Sequence, residues 1–170
     1  MSLTLAAALA TALNFGIFTL IAVWYVAPWL QTQPRATALS ALIWVQVFRD
    51  IALQIFSAQK FGFLVSDPTR DIIAAGDVAG ALLALISLLA LRYWPRVATY
   101  FVWILVLETV VDLVYGTIAG LHEQIFEKAF GVTFMILAFY VPLLWVSLAL
   151  VIWQLFSRRS EAPLAFAPSS

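Results

Sequence analysis

Hydrophobic residues dominate five long stretches of the chain, and short polar segments separate them. Each stretch has about the 20 mostly apolar residues that an α-helix needs to cross a bilayer. The predicted spans are residues 3–27, 36–58, 68–92, 97–120 and 129–156. We therefore predict an all-α integral membrane protein, with one five-transmembrane-helix bundle over residues 1–156. Residues 157–170 include two prolines, and we expect them to form a flexible cytoplasmic tail.

Several residues predict how these helices end, bend and pack. Pro28, with the polar residues after it, predicts the end of the first helix. Pro142 should kink the fifth helix and free a backbone carbonyl. Gly76 and Gly80 form a GxxxG pattern, which is typical of closely packed helices, and Asn14 is expected to make an interhelical hydrogen bond. A polar seam is predicted on the inner face of the fifth helix, where polar residues recur every seven positions: Thr133, Tyr140, Ser147 and Gln154.

The amino-acid composition agrees with the prediction of an integral membrane protein. Of the 170 residues, 64% are hydrophobic and 11% are charged, whereas about a quarter of the residues in a soluble domain are charged. The formal net charge is zero, so nucleic-acid binding has no electrostatic support. The absence of cysteine excludes disulfides and thiolate chemistry. The single histidine, His122, lies beyond the fourth span and predicts no metal site, and no cofactor motif is present.

The basic residues predict an orientation. With five spans, one side collects Arg35, Arg92, Arg96, Arg158 and Arg159, and the other collects Lys60, Arg70 and Lys128. The side richer in Lys and Arg should be cytoplasmic, so we expect the N-terminus outside and the C-terminus in the cytoplasm. The first stretch lacks the basic start of a signal peptide and is read as a retained span.

Polar side chains interrupt the apolar stretches at what we estimate to be one depth. Glu108 and Asp112 are four residues apart and share one helix face, which Tyr115 continues. At about 1.5 Å per residue, the polar residues of the other spans also come out roughly 9–18 Å from the outer helix ends. The predicted ligand-binding residues are Gln46, Arg49, Asp50, Asp77, Glu108, Asp112, Tyr115 and Tyr140.

This predicted layer holds four carboxylates and one guanidinium. A charge in hydrocarbon is costly unless it is paired or hydrated. We therefore expect Arg49 to pair with a carboxylate on another helix, with Asp77 or Asp112 before Glu108. The surplus of acids should be compensated by a cation, by water or by a proton, for which Glu108 is the deepest candidate.

Short motifs in the second to fifth spans carry a family resemblance: Phe48-Arg49, Leu53-Gln54, Gly76-Asp77, Val111-Asp112-Leu113 and Tyr140-Val141-Pro142-Leu143. Through them the chain resembles a group of small bacterial integral membrane proteins that have no established activity, which implies a bacterial inner membrane location. A His expected at Ser147 or Leu148 is absent, so no role of that histidine carries over. Emopamil-binding-like and translocator proteins offer analogy only.

Three functions remain open from the sequence. The first is binding or transport of a cationic or lipid-like small molecule by the acid-rich layer. The second is a structural or assembly subunit whose buried charges fix helix packing. The third is a membrane-embedded enzyme that uses Glu108 or Asp112 as a general acid or base on a lipid-soluble substrate. The partners expected are membrane lipid, a hydrophobic or cationic small molecule, and further subunits in a homo- or hetero-oligomer.

Overall fold

A computed structural model describes residues 2–158. Within that part of the chain all regular structure is helical. Five helices are long and apolar enough to cross a membrane, as predicted: α1 (Leu3–Thr32), α2 (Arg35–Lys60), α3 (Asp67–Tyr93), α4 (Pro95–His122) and α5 (Gly131–Ser157). A short helix, Ile125–Lys128, connects α4 to α5. Apart from its first two residues, the predicted tail lies outside the described residues.

Packing of the helices leaves an apolar exterior. Helix α3 packs most extensively on α4, α2 lies between α3 and α5, and α1 packs mainly on α5. Leu39, Leu91, Val102 and other apolar side chains are buried in the main core. The outer faces are also apolar, and large side chains there are substantially exposed: Leu13, Leu82, Leu107, Val111 and Ile118. An exterior of this kind is unfavourable in water and is typical of a surface that meets another apolar phase.

Two helices continue through prolines that follow a widened turn. In α1 the segment Ala22–Val26 is π-helical and precedes Pro28, so the helix runs on to Thr32. The prediction that Pro28 ends the first helix is therefore wrong. Since a π turn shifts the hydrogen-bond register by one residue, the chain can accept a residue that lacks an N–H group.

Helix α5 uses the same device before its own proline. The segment Ile136–Tyr140 is π-helical and precedes Pro142. The carbonyl of Ala138, four residues before this proline, accepts a hydrogen bond from Asn14 Nδ2 at 2.8 Å. The sequence predicted that Pro142 frees a backbone carbonyl and that Asn14 makes an interhelical hydrogen bond. In the structure, Asn14 donates to the carbonyl of Ala138, so one hydrogen bond accounts for both predictions.

Candidate functional site

A tightened segment of α2 positions the central charge. Residues Phe48–Leu53 form a 3₁₀ helix between two α-helical parts, Arg35–Val47 and Gln54–Lys60. In this segment Arg49 points into the bundle and is fully buried, whereas its neighbour Asp50 is exposed. The carbonyl of Val45, which lies just before the change of helix type, accepts a hydrogen bond from Tyr140 Oη at 2.7 Å. Tyr140 therefore stabilises the irregular segment from the facing helix.

Arg49 is the hub of a charge cluster, which we call the Arg49 cluster: Arg49 with Asp77, Glu108 and Asp112. Arg49 Nε lies 2.9 Å from Asp77 Oδ1, and Nη1 lies 3.0 Å from Glu108 Oε2. Arg49 Nη2 donates to Asp112 Oδ2. These contacts confirm that Arg49 pairs with carboxylates on other helices, and they show that it pairs with Glu108 as well as with the two favoured partners.

Two glycines of α3 make room for this cluster. A Cβ atom at Gly80 would collide with the guanidinium of Arg49 and would lie 2.9 Å from Glu108 Oε2. A Cβ at Gly76 would lie 2.8 Å from Asp112 Cγ. The GxxxG pattern was predicted to serve close approach of a helix backbone. The structure instead uses both glycines to seat charged side chains against the backbone of α3.

Formal charge in the cluster is unbalanced. Asp77, Glu108 and Asp112 face one guanidinium, and their side chains keep exposed fractions of 16%, 18% and 17%. Arg49 contacts one oxygen atom of each carboxylate. The cluster therefore has negative charge in excess, and oxygen atoms remain for a further donor.

A mostly apolar cavity borders the cluster, and we call it the acid cavity. Its volume is about 140 Å³. All helices except α1 contribute to its wall, and its polar lining consists of Gln54, Asp77, Asp112, Tyr115, Thr117, Thr133 and Tyr140. Where α4 contacts α5, it does so mainly through the Val141–Ser157 part of α5. Residues of α4 and of the earlier part of α5 line the cavity on this side, and they include the exposed Tyr115.

The remaining predicted site residues occupy separate positions. Gln46 is buried and donates to Ser147 Oγ at 2.8 Å, which links α2 to α5. Asp50 is not among the partners of Arg49, because adjacent helical residues point in different directions. Tyr115 lines the acid cavity. The structure thus brings Arg49 together with three of the four acids, and Tyr115 and Tyr140 lie with Asp77 and Asp112 on the wall of the acid cavity.

Sequence reasoning missed Thr109 and the pair of Gln54 with Thr133. Thr109 Oγ1 accepts a hydrogen bond from Arg49 Nη1 at 3.1 Å and is fully buried. Gln54 Nε2 donates to Thr133 Oγ1 at 3.1 Å on the wall of the acid cavity. Thr109 belongs to no periodic pattern, so the sequence did not single it out. Thr133 was part of the predicted polar seam, but its hydrogen bond with Gln54 was not predicted.

Comparison with protein families places the chain in a group. A model of the domain of unknown function DUF8737 matches residues 6–156, which reach from α1 to α5. The chain belongs to this family. No curated protein and no solved structure matches the chain significantly. The chemistry of the site therefore has to be argued from its own residues.

The carboxylates of the site offer acceptor oxygen atoms beside an apolar space. Among the described residues no group of three or more His, Cys, Asp and Glu side chains has the arrangement of a metal site. The carboxylates converge on a guanidinium instead, and the space beside them is lined mainly by apolar side chains. Such a site can hold a cationic head and an apolar body together.

Proposed function

We propose that this DUF8737 protein is an integral membrane protein that binds or transports an amphipathic organic cation in the acid cavity. The observation that carries the proposal is the excess of carboxylates at one wall of an apolar cavity. Asp77 and Asp112 supply the negative wall. In a medium of low dielectric constant this excess attracts a positive group much more strongly than it would in water.

Access from the bilayer supports the same proposal. Residues of α4 and α5 line the acid cavity, and the residues next to them in sequence, such as Val111 and Ile118, are apolar and exposed on the outer surface. A ligand dissolved in the membrane would reach the carboxylates without crossing the bundle. We further propose that the membrane is the bacterial inner membrane, with the N-terminus outside and the arginine-rich helix ends in the cytoplasm.

The charge requirement can be tested with matched probes and variants. Octylamine and octanol have similar chains and differ in charge, so native mass spectrometry of the detergent-purified protein should show retention of the amine above the alcohol. Asp112→Asn should reduce amine retention by about tenfold, because it removes a charge worth on the order of 1–2 kcal/mol. Asp50→Asn is the matched control, since Asp50 is exposed and lies outside the cluster. Equal retention of amine and alcohol by the wild type would contradict the proposal.

A second variant tests whether the ligand occupies the acid cavity. A Cβ at Gly116, which lines the acid cavity, would meet no atom within 4 Å, so the side chain of Gly116→Phe starts from open space and should occupy the cavity. Gly16→Phe on α1 is the control, because Gly16 has the same free space and does not line the acid cavity. Amine binding should be lost in Gly116→Phe alone. Binding that survives in Gly116→Phe would place the ligand elsewhere.

A structural role is the second candidate, and one observation favours it. Arg49 on α2 binds acids on both α3 and α4, so the cluster also joins three helices. If joining helices were its whole purpose, Asp112→Asn would lower the melting temperature and leave amine retention unchanged. A ligand site predicts that retention falls even at temperatures where the variant is folded.

A further inference from the structure

The acid cavity follows one face of α5 for about two helical turns. Its lining residues include four on this helix that recur at the three- and four-residue spacing of a single face: Thr133, Ile136, Leu137 and Tyr140. The first and the last are seven positions apart, which is about 10 Å at the rise of an α-helix. This face of α5 therefore begins and ends with a residue that carries a hydroxyl group, and it is apolar between them.

Helix α4 lines the cavity over a similar length. Asp112, Gly116 and Gly120 line it at four-residue intervals. The two glycines bring no side chain into the space, and a Cβ at Gly116 would meet no atom within 4 Å. Asp112 belongs to the Arg49 cluster, so the carboxylates lie at one end of this row, and the row extends about 12 Å from them.

The hydrogen-bonded pair of Gln54 and Thr133 lies at the other end of the cavity. Since a short connection joins α4 to α5, Thr133 near the start of α5 lies toward Gly120 and away from Asp112. On α2, Gln54 comes five residues after Arg49, which separates it from the charged end by roughly 8–10 Å. The cavity therefore has a charged end and a neutral polar end, with an apolar stretch between them.

This neutral pair has hydrogen-bonding capacity beyond its mutual bond. Gln54 Nε2 donates to Thr133 Oγ1 at 3.1 Å, and within residues 2–158 each of these two side chains has the other as its partner. A glutamine amide offers two N–H donors and a carbonyl acceptor, and a threonine hydroxyl both donates and accepts. One bond uses a single donor and a single acceptor, so the pair can also serve a polar group of a ligand in the cavity that it lines.

We infer that the acid cavity holds its ligand at two points, with a cationic group at Asp77 and Asp112 and a hydroxyl or carbonyl group at Gln54 and Thr133. This inference rests on the proposed function and narrows it to small, elongated amines with a second polar group roughly 8–10 Å from the nitrogen. The cavity volume of about 140 Å³ suits a small ligand, since pockets for drug-sized molecules have roughly 300–1,000 Å³. A ligand hydroxyl that leaves water needs a new partner, which the pair supplies.

Two amino alcohols of one composition test the distance between the two points. In 6-amino-1-hexanol the hydroxyl lies at the far end of the extended chain, about 9 Å from the nitrogen, whereas in 1-amino-2-hexanol it lies beside the amine. Because mass and charge are the same, each isomer is incubated separately with the full chain in detergent, and its retention is measured by native mass spectrometry. We expect the wild type to retain 6-amino-1-hexanol about fivefold more, the effect of one net hydrogen bond.

Variants locate the second point. Gln54→Leu and Thr133→Val should each abolish or reverse this preference, because the apolar end of 1-amino-2-hexanol then meets an apolar wall. Thr117→Val is the matched control, since Thr117 lines the same cavity but its hydroxyl donates to the carbonyl of Leu113 at 2.7 Å. A purely structural role of the pair would lower the retention of both isomers together and leave their ratio unchanged.

The outcomes separate this inference from the proposed function. If neither isomer is retained above the uncharged 1,6-hexanediol, the cation site fails and the second point fails with it. Equal retention of the two isomers by the wild type, a result that requires no variant to fold, would overturn the second point and leave the cation site standing. An unchanged ratio in Gln54→Leu and Thr133→Val, or the same loss of preference in Thr117→Val, would also overturn it.

Discussion

Arg49 can serve three carboxylates because its guanidinium is a planar fork with donors in several directions. Nε, Nη1 and Nη2 each point to a different acid, and Nη1 also reaches Thr109. A lysine would present a single point charge and could not hold all of these partners in one plane. The energetic consequence is asymmetric, since removal of the hub leaves three partly buried acids without a positive partner.

Arg49→Leu should therefore destabilise the bundle by about 3–5 kcal/mol, the usual cost of breaking a buried ion pair. Thermal unfolding in detergent measures this effect, and Asp50→Asn serves as the exposed control. Arg49→Lys should fall between the wild type and Arg49→Leu. A melting temperature of Arg49→Leu equal to that of the wild type would mean that the cluster does not stabilise the fold.

At the scale of elements, local irregularities position the charges. The 3₁₀ segment of α2 presents Arg49 to the interior, and small residues on α3 let its guanidinium lie against the helix backbone. When a new Cβ atom meets the end of a flexible side chain, that side chain can usually move aside at a small energetic cost. Here the guanidinium and the Asp112 carboxylate hold each other, so a methyl group cannot displace either without breaking ion pairs.

A series of glycine variants tests whether Gly76 and Gly80 are needed to make room for the charged side chains. Gly76→Ala and Gly80→Ala should each destabilise the protein by about 1–3 kcal/mol, as overpacking does. Gly116→Ala and Gly16→Ala should be neutral or stabilising by up to about 1 kcal/mol, because alanine favours the helix and no atom obstructs it. Melting temperatures of the four variants give the comparison. Equal effects at all four positions would show that only helix propensity matters.

A carboxylate joins the end of α4 to the start of α3. Glu123, just after α4, accepts hydrogen bonds from the Ser66 hydroxyl and, at 2.9 Å, from the Ser66 backbone N–H, at the start of α3. These bonds lower the pKa of Glu123 to about 2. Since the folded pKa lies below the unfolded value of about 4.3, the ionised carboxylate stabilises the fold above the unfolded pKa, and this contribution is lost as the pH falls toward 2.

Glu123→Gln should accordingly lower the melting temperature at pH 6. The difference from the wild type should shrink as the pH is lowered from about 4.5 to about 2, because the wild type then loses the same charge. Glu127→Gln, at an exposed position of the adjacent short helix, is the control. A wild-type advantage that persists unchanged at pH 2 would rule out the ionised Glu123 as its source.

At the scale of the whole molecule, the two ends of the bundle differ in charge. Arg158 donates to the carbonyls of Leu30 and Gln33 and Arg35 donates to the carbonyl of Leu155, so these two arginines join the ends of α1, α2 and α5. The other end carries both signs of charge, with Arg70 bonded to Asp67 and Asp71. An asymmetry of this kind orients membrane proteins during insertion.

Cysteine labelling tests the orientation, because the chain has no cysteine of its own. Gln31→Cys and Glu127→Cys place single thiols at exposed positions near opposite ends of the bundle. In intact cells an impermeant maleimide should label position 127 and should reach position 31 only after lysis. Labelling of both from the same side would contradict five spans, and the reverse pattern would contradict the proposed orientation.

The sequence by itself determined the five long helices, the polar seam of α5 and the pairing of Arg49 with acids. These features follow from the length of apolar runs, from helical periodicity and from the cost of an isolated buried charge, all of which are local or nearly local. Helix ends were less certain, as Pro28 shows, because a π turn can absorb a proline without any distinctive sequence signal.

Tertiary structure alone decided which acids share the cluster and which do not. Adjacent helical residues point in different directions, so Arg49 and Asp50 do not share a face, and the packing of α2 against its neighbours decides that Arg49 is the buried one. The role of Gly76 and Gly80 also depended on tertiary structure, because it follows from the side chains of α2 and α4 that lie against them. Helical spacing fixes the face that a residue occupies on its own helix, whereas the relative rotation and depth of two packed helices arise from contacts distributed over their whole lengths.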